Sequence, residues 1–229
     1  DIVSESNLQR QILFTETDIG KSKSELAKAR LTDLNPHIKY TIHNEKLTSE
    51  NALSTFEKYD IIDDGSDNFP TRYLVNDACL LTGKPCVFGA VSRFEGQVSV
   101  FNLKRKDQTF GPNYRDIFPK PPAPGTVLNC EEAGVLGVLP GIIGTMQASE
   151  VIKLIIGLGE PLDGRLFLFD AASFTSRILK IRKNPALKIE NLIDYDFFCG
   201  LKVPEISQEE MKEMLSKEVD FQLIDVREK

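Results

Sequence analysis

Three short polar segments and one cysteine carry the residue types in this chain that chemistry would need. The first is Ser6-Asn7-Leu8-Gln9-Arg10-Gln11, in which polar side chains bracket one arginine. A planar guanidinium forks onto phosphate oxygens. The second is Gly20-Lys21-Ser22-Lys23, at the start of a predicted helix. A lysine at the positive end of a helix dipole is unfavourable unless an anion sits nearby. The third is Asp63-Asp64-Gly65-Ser66-Asp67-Asn68. Its carboxylates repel one another unless a cation or ordered donors are present. Mg²⁺ suits such a place, because it takes one or two carboxylates plus phosphate oxygens. Arg10 and Lys23 would then supply positive charge for a polyphosphate and Asp67 would hold its metal, an arrangement suited to phosphoryl or nucleotidyl transfer. Taken singly, each segment also reads as ordinary surface: a solvated acidic turn, a flexible lysine pair, an exposed arginine. Cys130 closes a proline-rich stretch just before Glu131 and Glu132. A helix start there would lower its pKa and the two glutamates would raise it, so its spacing marks it as a nucleophile only weakly.

The elements that must position these residues alternate. Residues 21–34 predict a helix with Ala27, Leu31 and Leu34 on one face, stopped by Asn35-Pro36. Residues 38–43 alternate like a strand. A helix follows over 48–59, capped by Thr48 or Ser49, then a short buried strand at 60–62 that runs into the acidic turn. Residues 70–81 predict a helix with a proline in its first turn, and 85–89 a second apolar strand. That order is βαβ spacing and predicts a parallel sheet, which binds ligands beyond the carboxyl ends of its strands. From residue 96 the pattern changes to antiparallel: 96–103 alternates cleanly, and strands are predicted at 165–170 and 176–182. Residues 104–129 form a long irregular connection holding Pro112, Pro119, Pro121, Pro122 and Pro124. The fold class is therefore α/β, a Rossmann-like parallel sheet continuing into a mixed or antiparallel half. At the end, Ser207-x-x-Glu210 is a capping box ahead of a helix bearing Met211, Met214 and Leu215, with a strand predicted over 221–226.

Composition narrows the function. The chain has 229 residues, 41% hydrophobic and 27% charged, as in a soluble globular protein. A net charge of −6 argues against general nucleic-acid binding. Two histidines, His37 and His43, leave little room for histidine-based metal or triad chemistry. No pair among Cys79, Cys86, Cys130 and Cys199 has C-x-x-C spacing, so no zinc site is written and free thiols in a reducing, cytoplasmic setting are expected. The most apolar stretch, 133–158, contains Gln147, Glu150 and Lys153, which are costly at a bilayer centre. It reads as a buried core helix, not a membrane span.

Taken together, SNLQRQ at 6–11, GKSK at 20–23, DDGSDN at 63–68 and NCEEAGVLGVLPGIIG at 129–144 resemble the MoeB/ThiF/HesA family, bacterial relatives of the ubiquitin-activating enzymes. The resemblance runs from Asp1 to about Gly200. Residues 201–229 look like the opening of a rhodanese domain. The resemblance implies binding of ATP–Mg²⁺ and adenylation of the C-terminal glycine of a small ubiquitin-like sulfur carrier ending in Gly-Gly, in molybdopterin or thiamine biosynthesis. It implies a homodimer, and a sulfur donor that is a rhodanese or a cysteine desulfurase. Carried over by motif, Ser6, Asn7, Leu8, Gln9 and Arg10 contact the ATP phosphates. Arg10 and Lys23 stabilise the transferred group, and Asp67 with Asn68 takes the Mg²⁺ and nucleotide role. Gln11 and Arg72 are second-tier nucleotide contacts, and Asp1 matches the second acid of the family's D-x-D. Cys130 matches a position assigned a thioester or acyl disulfide.

The departures are specific. No G-x-G-x-x-G occurs in these residues, so the family's phosphate loop and N-terminal phosphate-loop unit are expected to be missing. That leaves a second reading, a truncated carrier-binding and dimerisation module without activity. Many family members hold zinc with two C-x-x-C pairs. The matching segments here read Gly111-Pro112-Asn113-Tyr114-Arg115-Asp116 and Asn184-Pro185-Ala186-Leu187-Lys188, without a cysteine, so no zinc is expected.

Overall fold

The computed structural model describes residues 1–123, 126, 134–202 and 207–217. Five strands form one sheet in the order β1-β2-β3-β4-β5: β1 (Ile62–Asp64), β2 (Cys86–Ser92), β3 (Glu95–Phe101), β4 (Arg165–Asp170) and β5 (Thr175–Lys180). Only β1 and β2 run parallel, with Asp63 opposite Val87. The remaining pairs are antiparallel. The predicted parallel half is thus a single strand pair among the described residues.

Both faces of β2 are covered, which is why Cys86, Val87, Phe88 and Gly89 are all buried. On one face lie α2 (Ala52–Phe56), α3 (Phe69–Thr82) and the 3-10 turn Tyr114–Asp116. Their core joins Phe56, Tyr73, Ala78, Phe88, Phe101 and Tyr114. On the other face α4 (Leu139–Ile156) packs Leu139 and Ile143 against Val98 and Phe169. Gly96 makes that approach possible, since a Cβ there would lie 2.3 Å from the Ile143 side chain.

Strong punctuation explains the accurate elements. Asn68 caps α3 by accepting from the Thr71 amide at 2.9 Å, Pro70 occupies its first turn, and Gly83 ends it at φ 67. Elsewhere the expectations need correction. Residues 38–43 form no strand, because no described strand pairs with them; Ile38 sits in a bend and is exposed. α1 (Lys23–Leu34) starts two residues late, capped by Ser22, and none of its residues is buried, so its apolar face meets no described core. The helix over 48–59 contracts to α2, capped at Asn51. The strand at 60–62 moves to 62–64, which takes Asp63 and Asp64 out of the turn and into β1. The helix at 133–158 is amphipathic rather than buried all round. Leu139, Ile143, Gln147 and Glu150 are buried, while Ile152, Ile155 and Ile156 are exposed. α4 is long and apolar enough to cross a membrane by length and composition alone, but its inner face packs on the sheet. Ser207 and Glu210 do form a reciprocal capping box on α6 (Gln208–Ser216), which follows the short α5 (Tyr195–Phe198). The strand predicted at 221–226 lies outside the described residues.

Candidate functional site

The acidic turn leaves the carboxyl end of β1, the place an open α/β sheet reserves for ligands. The three carboxylates of Asp63, Asp64 and Asp67 have separate fates. Asp64 is buried, accepts from the Ser66 amide at 2.9 Å, and burial raises its pKa. Asp63 accepts from Gln147 Nε2 at 2.8 Å, and partial desolvation, together with the charge of Asp64, raises it as well. Asp67 is exposed and, among the described residues, is approached only by Asn68 Nδ2 at 3.4 Å. The three-acid cluster therefore resolves into two engaged acids and one open one.

In the sequence Gln147 reads only as a polar residue in an apolar stretch. In the fold it ties α4 to the end of β1, from which the turn departs, since the same Nε2 also donates to the Asp64 carbonyl at 3.0 Å. Gly89 on β2 makes room for it: a Cβ at that position would sit 2.1 Å from Gln147 Oε1.

Arg72, on the first turn of α3, donates to the Ser66 carbonyl at 2.8 Å and so braces the turn from below. Its guanidinium lies over the rings of Phe69, Phe88 and Tyr114, at 5.8, 5.3 and 5.9 Å from their centroids. Its Nε and the Ser66 hydroxyl are both buried without a partner among the described residues. Asn68 spends its carbonyl oxygen on the α3 cap, leaving its amide for Asp67.

The segment around Arg10 is a closed loop. Buried Asn7 accepts from the Ser4 amide at 3.2 Å, and its carbonyl accepts from the Gln11 amide at 2.9 Å. Arg10 donates back to the Ser6 carbonyl at 2.8 Å. Leu8 is partly buried, and Gln11 Oε1 is buried without a partner among the described residues. Gln9 reaches the Val135 carbonyl at 3.3 Å, and a Cβ on Gly137 would meet the Gln9 carbonyl at 2.6 Å. Backbone bonds from Val3 to Lys21 and from Gly20 to Val3, each 2.9 Å, place this loop beside the start of α1. There Lys23 ion-pairs with Asp1 at 2.7 Å. The loop and the acidic turn thus both abut α4, the first just before its N-terminus and the second at Gln147. Cys130 lies outside the described residues. An open cleft of about 350 Å³ over β3, β4 and β5, lined by Glu95, Gln97, Leu168, Asp170, Thr175 and Arg177 among others, contains none of the residues named from the sequence.

The fold is thus a mixed α/β sheet with an exposed acid just past one strand end and two short polar loops beside one helix. Residues 1–189 match the ThiF family model, and the chain belongs to the ThiF family. It is 48% identical over 209 residues to the sulfur carrier protein adenylyltransferase of Thermus thermophilus, a match covering 88% of this chain and 77% of that one. It is 44% identical over 238 residues to the probable adenylyltransferase/sulfurtransferase MoeZ of Mycobacterium tuberculosis, covering 100% of this chain and 60% of that protein. The fold is shared with E. coli MccB, solved with ATP: TM-score 0.64, 20% identity, 82% of this chain and 56% of that one. The chain therefore spans between about half and three quarters of the length of these relatives.

Proposed function

We propose that the chain is the main part of an adenylyltransferase that activates the C-terminal carboxylate of a small ubiquitin-like sulfur carrier with ATP. Family membership and the names of its relatives support this reading, and Asp67 carries it. Asp67 is exposed just past the end of β1 and is met among the described residues only by Asn68, while Asp63, also exposed, and buried Asp64 are held by Gln147 and Ser66. One open carboxylate suits Mg²⁺, which fills its remaining positions with phosphate oxygens and water. When bound, that ion neutralises phosphate charge. Arg10, released from the Ser6 carbonyl, and Lys23, exchanging Asp1 for phosphate, would bear on the triphosphate. Arg72 holds the turn that carries Asp67. The carrier carboxylate would attack the α-phosphate, forming an acyl adenylate and releasing pyrophosphate. A homodimer would cover the exposed isoleucines of α4, and residues 201–229 would open a rhodanese-like domain that takes part in sulfur delivery.

The test is ATP–pyrophosphate exchange by the full-length gene product with a purified Gly-Gly carrier. Asp67→Ala should abolish exchange while leaving the melting temperature within 2 °C. Arg10→Ala and Lys23→Ala should each lower turnover by about 100-fold, roughly 3 kcal/mol of transition-state stabilisation. Exchange by Asp67→Ala within threefold of wild type would remove the metal role. Carrier binding without any exchange in the wild type would favour the second reading, a binding module.

A further inference from the structure

The two segments that match the family's zinc-binding pairs contain no cysteine, yet the fold still brings them together. Asn113 and Asp116 stand three residues apart, at the spacing of a C-x-x-C pair. Among the described residues no group of three or more Cys, His, Asp or Glu is placed to hold a metal, so the residues here do not fit zinc. What joins the segments is a carboxylate. Asp116 Oδ2 accepts from the Asn113 amide at 2.7 Å and from Asn113 Nδ2 at 2.8 Å. Asp116 Oδ1 accepts from the Asn184 amide at 2.7 Å, across 68 residues of chain. Asn113 itself is buried, caps the turn through the Arg115 amide at 2.9 Å, and receives Asn76 Nδ2 of α3 at 3.4 Å.

We propose that Asp116 is a metal-free clasp, its two carboxylate oxygens tying the 113–116 turn to the segment entered at Asn184 where relatives would use zinc. All three donors around it are N–H groups, so the clasp needs an acceptor on both sides. A carboxylate supplies two acceptor oxygens and a side-chain amide only one. The link therefore depends on Asp116 itself and not on a bound ion.

Hydrogen exchange resolved to single residues tests this on the whole chain, with α4 as internal reference. In the wild type the amide of exposed Asn184 should exchange at least tenfold more slowly than an unbonded amide. Asp116→Asn, nearly isosteric but with one acceptor oxygen, should accelerate exchange at least tenfold on at least one side of the clasp, and Asp116→Ala in both the turn and the segment at 184. A chelator such as 1,10-phenanthroline should leave the wild-type melting temperature unchanged. Fast exchange at Asn184 in the wild type would overturn the proposal without any variant having to fold. So would wild-type protection on both sides in Asp116→Asn, protection of Asn184 retained in Asp116→Ala, or a melting temperature lowered by the chelator.

Discussion

Gly89→Ala should damage the protein through a side chain on another element. The new methyl would lie 2.1 Å from Gln147 Oε1 and 2.2 Å from its Cδ. Gln147 is only 6% exposed, so its amide has no room to step aside without leaving Asp63 and the Asp64 carbonyl. Losing a hydrogen bond to a carboxylate costs about 1.5–3 kcal/mol and one to a carbonyl about 1 kcal/mol. Replacing glycine in a strand returns about 0.5–1 kcal/mol. The net loss is about 2–3 kcal/mol, or roughly 4–12 °C in melting temperature for a chain of this size. Gln147→Ala loses the same bonds but vacates the space, so Gly89→Ala added to it should cost nothing further. The double-mutant cycle, read by urea or thermal unfolding, should then show about 2 kcal/mol of coupling. Pyrophosphate exchange should fall in Gly89→Ala along with stability, because the turn bearing Asp67 is released from α4. A melting temperature within 1 °C of wild type, or strictly additive effects, would refute the reasoning.

Asp77 and Arg115 form a buried bidentate pair at 2.8 and 2.7 Å, and Tyr195 donates to Asp77 at 2.8 Å. Arg115→Met strands that carboxylate and should cost about 3–5 kcal/mol, whereas Asp77→Leu combined with Arg115→Met should recover part of the loss; calorimetry showing no recovery would deny the coupling. Asp18 accepts from Thr15 and pairs with Arg30, and these partners hold its carboxyl below the usual aspartate range. A depressed pKa stabilises the fold above the ordinary aspartate value and loses that contribution as pH falls through the lowered one. Asp18→Asn should therefore lower the melting temperature at pH 7, by an amount that shrinks toward pH 3; a pH-independent penalty would point to packing instead. Cys130→Ser should leave pyrophosphate exchange intact and reduce carrier thiocarboxylate formation; lost exchange would contradict that order of events.

What was legible in the sequence follows from how local each signal is. The strand at 165–170 and the helix from 69 to 82 are bounded by residues that punctuate by themselves, Asp170 in its turn and Pro70 and Gly83 at helix ends. Residues 38–43 alternate just as well, but a strand exists only where a neighbour pairs with it, and alternation is silent on neighbours. The candidate site was legible as residue types: the motifs single out Asp67, Arg10 and Lys23, and the fold sets Asp67 past the end of β1, Arg10 against the Ser6 carbonyl and Lys23 against Asp1. Its supports were not legible. Gln147 reads as a flaw in an apolar helix until the fold sets it against Gly89 and Asp63, a contact across 84 residues. Asp116 and Asn184 likewise give no sign in sequence that one holds the other.

α4 touches the arginine loop just before its first turn and the acidic turn at Gln147, so it acts as a ruler between them. From Leu139 to Gln147 the helix advances about 12 Å, and each residue also turns it by about 100°. Length and angle are therefore set by the same count. A single residue inserted between those positions would swing Gln147, and the buried face beyond the insertion, about a quarter-turn off the carboxylates and the sheet. Adding a whole turn would restore the direction but open the gap by about 5.4 Å. The stretch from 139 to 147 can thus accept many substitutions and no change in length, a constraint on insertions and deletions rather than on residue identity.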